Sequence, residues 1–192
     1  MSVSGHLSGS ESQPKENKQR ARRRFVRGVG VAVPVIMTVK SSSALAAQCF
    51  APSAAASIAL LHSRLDREHL DCLGRTPGFW KNAAKPDHPN HSDWVTAGGE
   101  GVLFATVFGN GFPGKTLLDV LKLRGNSNYE ALGRHLVAAY LNLKIGWVPT
   151  TVLSLQDLID MWNGRAGSYS PTAGVTWTAD KIVTYLKTTM PL

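Results

Sequence analysis

Long apolar runs are missing from this sequence, and so are most patterns that would assign a chemistry. The best apolar stretch, Gly28 to Val39, is about 12 residues, short of the ~20 that a helix needs to span a bilayer. Pro34 and several small residues lower its hydrophobicity further. Only two cysteines occur, Cys49 and Cys72. With no C-x-x-C pair and no nearby His-x-His, a zinc site built on cysteine is excluded. Neither G-x-S-x-G nor H-E-x-x-H is present, which removes the common hydrolase signatures. No repeat recurs at a period of about 20–50 residues, so solenoids and propellers are excluded. Acids are scarce: 13 Asp and Glu stand against 21 Lys and Arg, a net of +8 over 192 residues.

What is present is unevenly placed. Residues 1–46 hold eight Lys/Arg and two acids, a net of +6, and the remaining 146 residues carry a net of only +2. The excess charge is therefore a property of the first quarter and does not point to nucleic acid as a partner. Residues 1–21 are polar, with almost nothing to bury, and are expected to form a disordered leader. Residues 22–46 join a basic cluster, the weakly apolar run, Lys40 and an Ala44-Leu45-Ala46 site. Those are the three parts of a secretory signal. Residues 47–192 are then the mature globular domain, long enough for one modest core, with no stable transmembrane helix expected in it.

Arg22-Arg23-Arg24-Phe25-Val26-Arg27 resembles the bacterial twin-arginine signal, usually Arg-Arg-x-Phe-Leu-Lys after Ser or Thr. Ala21 stands in the Ser/Thr place, and Val26 and Arg27 are conservative replacements. The resemblance implies export of an already folded chain, with Arg22, Arg23, Phe25, Ala44 and Ala46 as the residues that mark it. The end point would be the periplasm, the cell surface or the medium. In such an oxidising compartment Cys49 and Cys72 are most simply one disulfide; two free thiols are the alternative.

The mature part is punctuated as a mainly α domain, about five helices with long loops and room for minor β structure. Ser53 to Cys72 has Ile58, Leu61, Leu65 and Cys72 on one face. Gly74 to Gly101 is Gly/Pro/Asn-rich and is expected to be a loop. Residues 101–108 are apolar and fit strand or helix equally. Thr116 and Asp119 form a capping pair before a short helix to Leu123. Ser127-Asn128-Tyr129-Glu130 is a capping box opening the best helix, with Leu132, Leu136, Ala139, Tyr140 and Leu143 as its stripe. Gly146 and Pro149 end it. Ser154 caps a helix with Leu155, Leu158, Ile159 and Trp162 inward, stopped by Gly164. Thr178 caps the last, with Ala179, Ile182, Val183 and Leu186 inward.

Several groups invite a chemical reading. Asp87 to Asp93 gathers His88, His91 and Asp93, donors suited to zinc or another divalent metal, although a solvated loop uses the same residues. His135 is a candidate general base, or a histidine at the core edge. Together they would make a metal-dependent enzyme. Asp157 and Asp160 are explained by the helix dipole. Gly109 to Thr116 matches G-x-x-x-x-G-K-[ST], but Pro113 removes a backbone N–H that a phosphate loop uses, and no strand ending in Asp follows. It reads as a Gly/Pro turn with Thr116 as an N-cap, and nucleotide binding is the remote alternative. Trp80, Trp94, Trp147 and Trp177 lie in loops or at element boundaries, where they either stack on a glycan or protein partner or cover a small core. No cofactor is predicted.

Thr76-Pro77-Gly78-Phe79-Trp80-Lys81-Asn82 resembles the T-P-G-[YF]-W-K-N motif of a group of exported bacterial proteins, in which His often follows; here Ala83 does. Leu132-Gly133-Arg134-His135 through Asn142 is similar to a second block of the same group. The resemblance implies class and location and no reaction: an exported protein with a structural or binding role, engaging the export machinery through its signal and an envelope protein or glycan through its mature part. On the physics of the residues, Thr-Pro-Gly is expected to make a tight turn with Phe79 and Trp80 plugging the core beside the helix ending at Cys72. Gly133 in mid-helix suggests close approach of another segment, for which the Phe79–Trp80 turn is the candidate.

Overall fold

Ser127 sets the start of the longest helix, α6 (Asn128–Lys144), with its hydroxyl accepting from the Glu130 N–H at 3.3 Å. Gly146 ends it, at a φ of +79° that a residue with a side chain rarely adopts. The computed structural model describes residues 48–61, 70–125 and 127–191, all within the unit Ser42–Leu192. The expectations for residues 1–46, including Arg22, Arg23, Phe25, Ala44 and Ala46, lie outside the described residues.

The remaining elements follow in order. The chain enters as β1 (Gln48–Cys49), α1 (Pro52–Leu61) and β2 (Leu70–Asp71), then α2 (Pro77–Ala83), α3 (His91–Thr96), α4 (Phe104–Phe108) and α5 (Leu117–Leu121) before α6. After it come α7 (Leu155–Asn163), β3 (Tyr169–Thr172), β4 (Val175–Trp177) and α8 (Ala179–Thr188). The described residues thus form eight helices and two two-stranded antiparallel pairs, β1–β2 and β3–β4. The domain is mainly α, as its sequence predicts.

α6 is central because it is apolar over more than one stripe. Leu132, Leu136, Val137, Ala138, Ala139 and Leu141 are all buried, against α2, α5, α7 and α8. Tyr140 and Leu143, expected on its inner stripe, are half-buried at its margin. Capping boxes open α5 (Thr116 with Asp119) and α7 (Ser154 with Asp157), each carboxylate answering the cap's own N–H. The hydrogen bonds from Thr116 hold the Asp119 carboxyl below its usual range. In α8, Ile182, Val183, Tyr185 and Leu186 face inward, although Thr178 makes no side-chain cap bond. The Tyr185 hydroxyl donates to the Phe50 carbonyl at 2.9 Å, tying this helix to the residue after β1. Burial pushes that phenol far above its ordinary range.

Three expectations are corrected. The helix predicted over Ser53–Cys72 does not reach Cys72, which follows β2. Cys49 and Cys72 are joined in a disulfide with their Cα atoms 5.6 Å apart. A continuous 20-residue helix would span ~30 Å, which the 5.6 Å separation of the two cysteines excludes. The predicted loop Gly74–Gly101 contains α2 and α3; seven and six residues long, they are too short to display a period, and Pro77 sits at the first helical position, where its missing N–H costs nothing. Residues 101–108, open to either assignment, become α4, preceded by a single antiparallel bridge between Leu103 and Thr116. In α7, Leu155 is 44 % exposed, and Met161 joins Leu158 and Trp162 in the core. Leu155 is the first helical residue and projects past the end of the packed face. No described helix is long and apolar enough to cross a membrane.

Candidate functional site

Thr76-Pro77-Gly78 is a helix start rather than a tight turn. The Thr76 hydroxyl accepts from the Phe79 N–H at 3.4 Å, and Gly78 lies inside α2. One turn of helix then separates two roles. Trp80 points inward with 0 % exposure, and its indole N–H donates to Asn142 Oδ1 at 3.0 Å. The same oxygen accepts from the Arg75 N–H at 2.9 Å, and Asn142 Nδ2 donates to the Arg75 carbonyl at 3.0 Å. A buried asparagine thus satisfies three groups of the motif segment. Trp80 belongs to the first of the two blocks singled out in the sequence and Asn142 closes the second, so the two blocks meet through this bond. Phe79 and Trp147 pack edge-on and tilted against Trp80, with the Arg75 guanidinium 5.3 and 5.5 Å from their ring centres.

Lys81 and Asn82 take the other role. They line a recess of about 620 Å³ between α2 with the segment after it and α5 with the segment after it. Four cations stand around it, Lys81, Lys85, Lys122 and Arg124, all exposed, and among the described residues no carboxylate lines it. The far wall is fixed by the second block: Arg134 donates to the Leu123 carbonyl at 3.0 Å and to the Gly125 carbonyl at 2.9 Å. One block therefore supplies a wall, and the other pins the opposite wall. Lys85, Lys122, Arg124 and Leu118 escape a sequence reading because the mature net charge of +2 averages away a local cluster. The i, i+4 spacing of Lys81 and Lys85 and the Lys122-x-Arg124 pair are the signals that mark it.

The other candidates fall elsewhere. His88 Nδ1 accepts from the Asn90 N–H at 3.2 Å, and His91 Nδ1 donates to the Ala83 carbonyl at 3.0 Å, so both organise the α2–α3 connection. Among the described residues no three His, Cys, Asp or Glu gather closely enough to hold a metal ion, and His88, His91, Asp93 and His135 form no such group. His135 Nδ1 donates to the Ala131 carbonyl of its own helix at 2.7 Å, and burial lowers its pKa. Asp157 is engaged by Ser154, and Asp160 accepts from Gln156.

Of the four tryptophans considered for stacking, Trp80, Trp94 and Trp177 are 0, 2 and 8 % exposed and belong to the core; Trp147 is half-buried. The segment 109–116 joins α4 to α5, and no parallel strand leads into it. Its Asn110 accepts from the Trp162 indole through both its carbonyl, at 2.9 Å, and its Oδ1, at 2.8 Å. Phe112, at a φ of +44°, turns its ring into the core against Phe104 and Trp162. That ring, and not the Phe79–Trp80 turn, lies on Gly133, where an added Cβ would sit 2.5 Å from Phe112 Cε2. The segment approaching the helix glycine is therefore corrected: it is the loop that resembles a phosphate loop.

The fold and recess define a small disulfide-stapled helical domain with a cationic groove. Comparison with protein-family models, with curated proteins and with solved structures yields no match.

Proposed function

We propose that this chain is an exported protein of the cell envelope or extracellular space whose mature domain, residues 47–192, binds a protein or glycan partner through the groove bounded by Lys81, Lys85, Lys122 and Arg124. The observation that carries this reading is the construction of the groove by both motif blocks, one lining it and the other bracing it. Segments that resemble an exported group are spent on a concave cationic surface, and recognition surfaces are concave with a few placed polar groups. The Cys49–Cys72 disulfide fits an oxidising compartment, and residues 22–46 supply the address, by the twin-arginine route.

The test labels intact cells with a membrane-impermeant amine reagent and maps the modified lysines, alongside N-terminal sequencing of the same protein. The expected mature N-terminus is Ala47. Lys144, Lys181 and Lys187, exposed and away from the groove, should react equally in cells and in purified protein. Lys81, Lys85 and Lys122 should be protected only in cells. An intact leader on unlabelled protein removes the export reading, and equal labelling of all six lysines removes the groove as the working surface.

A further inference from the structure

The groove's floor differs in kind from its rim. Ala84, Leu118 and Leu123, all half-buried, and the more exposed Pro86 provide an aliphatic base. Asn82 is the one neutral polar side chain along it among the described residues, and its amide offers two donors and an acceptor to a peptide group. Among the described residues no aromatic ring lines the recess. An aliphatic centre ringed by charge is the anatomy of a protein interface. A sugar ring is more often held on an aromatic face, and the tryptophans of this chain are turned into the core or onto Arg75. A planar bilayer cannot reach a floor set between two helices.

Resting on the binding reading above, we infer that the partner is a protein, engaged through an acidic peptide segment that places an aliphatic side chain on Leu118 and Leu123 and its carboxylates among Lys81, Lys85, Lys122 and Arg124. Among the described residues no carboxylate lines the groove, and Asp119, near enough to Lys122 to feel its charge, is engaged by Thr116, so an acidic segment meets the cations without displacing an ion pair within the groove. Because all four are exposed, their attraction acts across water and is sensitive to salt.

The experiment presents an immobilised library of random dodecapeptides to the purified full chain, with polygalacturonate and phosphatidylglycerol vesicles as competing probes. Enriched peptides should carry a net negative charge and at least one Leu, Ile or Val. Binding should weaken about ten-fold on raising sodium chloride from low to high concentration, and about ten-fold in a Lys85→Glu/Arg124→Glu variant that melts as the parent does. A Lys85→Gln/Arg124→Gln pair, which leaves no new charge, should show a smaller loss of the same sign. Enrichment of peptides without acids, or binding that is indifferent to both variants, overturns the inference. Variant-sensitive retention of polygalacturonate or vesicles in preference to peptides overturns the peptide class and leaves a binding protein. Retention of no probe at all overturns both.

Discussion

Two aromatic clusters flank α6, and they are built from the same parts in different ways. In one, Trp80 is surrounded by Phe79 and Trp147 with Arg75 over the rings, and its indole N–H is answered by Asn142. In the other, Trp162 is surrounded by Phe104, Phe112 and Tyr129 with Arg165 4.1 Å from the indole centre, and its N–H is answered by Asn110. The first keeps its polar partner on the central helix, in an element already fixed by packing. The second takes its partner from a loop that is itself held by a strained residue, Phe112. A buried indole donor can thus be satisfied from within the core or by drawing a loop onto it, and the two solutions should fail differently.

The largest effect is expected from Asn142→Leu, which leaves the Trp80 and Arg75 donors and the Arg75 carbonyl without partners. At about 1–3 kcal/mol for each buried unpaired group, the loss should be about 5 kcal/mol, read by chemical denaturation. A loss under about 1 kcal/mol would mean that water replaces the amide and that this cluster is no more locked than the other. Phe112→Ala should cost about 3–4 kcal/mol, since Ala removes the buried ring and keeps the strain of the positive φ. Its coupling to Gly133 is the sharper measurement. Gly133→Ala should destabilise by about 1–2 kcal/mol despite the better helix propensity of Ala, and the penalty should vanish in the Phe112→Ala background. Additive losses would show that the ring and the glycine are not in conflict.

Removing the disulfide with Cys49→Ser/Cys72→Ser should cost about 3 kcal/mol for a loop of this length, a fall in Tm of roughly 10 °C. Since Cys72 lies three residues before Arg75, fluorescence should report the disturbance at Trp80 and Trp147 before Trp162. The smallest effect concerns His135, whose pKa is lowered by burial and by the nearby Lys187 and Arg134. A half-buried imidazole held toward its neutral form binds fewer protons than in the unfolded chain. Its contribution is therefore full above the unfolded value near 6.5 and is lost as pH falls below it toward the depressed folded value. Denaturation midpoints of the parent should drop more steeply than those of His135→Gln as pH falls below about 6.5; parallel curves would remove the assignment.

Helix punctuation was the most legible part of this chain, because caps act through neighbours three residues apart. Thr116–Asp119 is visible as a pair and forms as such. Ser154 is visible as a cap, with Asp157 completing a box that its place in the first turn alone did not announce. Of the box expected at Ser127–Glu130 only the Ser127 hydroxyl's bond to the Glu130 N–H forms. The short helices α2 and α3 were not legible, since neither completes two turns and Pro77 reads as a break when it is a start. Burial is not legible where it depends on distant partners: Leu155 and Met161 exchange roles because nothing local says where the core ends. The groove was half legible. Lys81 and Asn82 stand in a motif, whereas Lys122 and Arg124 join them only through the packing of α2 on α5 and the reach of Arg134. Gly133 announced a close contact but not which ring makes it.

The hydrogen bond from Tyr185 to the Phe50 carbonyl has a bearing on timing. The strand that opens the described domain is anchored by the helix that closes it, and α8 also covers α6. A ribosome delivers these partners 135 residues apart, so an emerging chain lacks this lid until α8 has been made. Under the proposed twin-arginine route, which carries folded cargo, the leader would be ready for recognition well before the domain behind it is fit to travel. Release of α8 from the ribosome, and not exposure of the leader, would then set the earliest moment of departure, and a chain truncated before Tyr185 should wait at the inner face of the membrane.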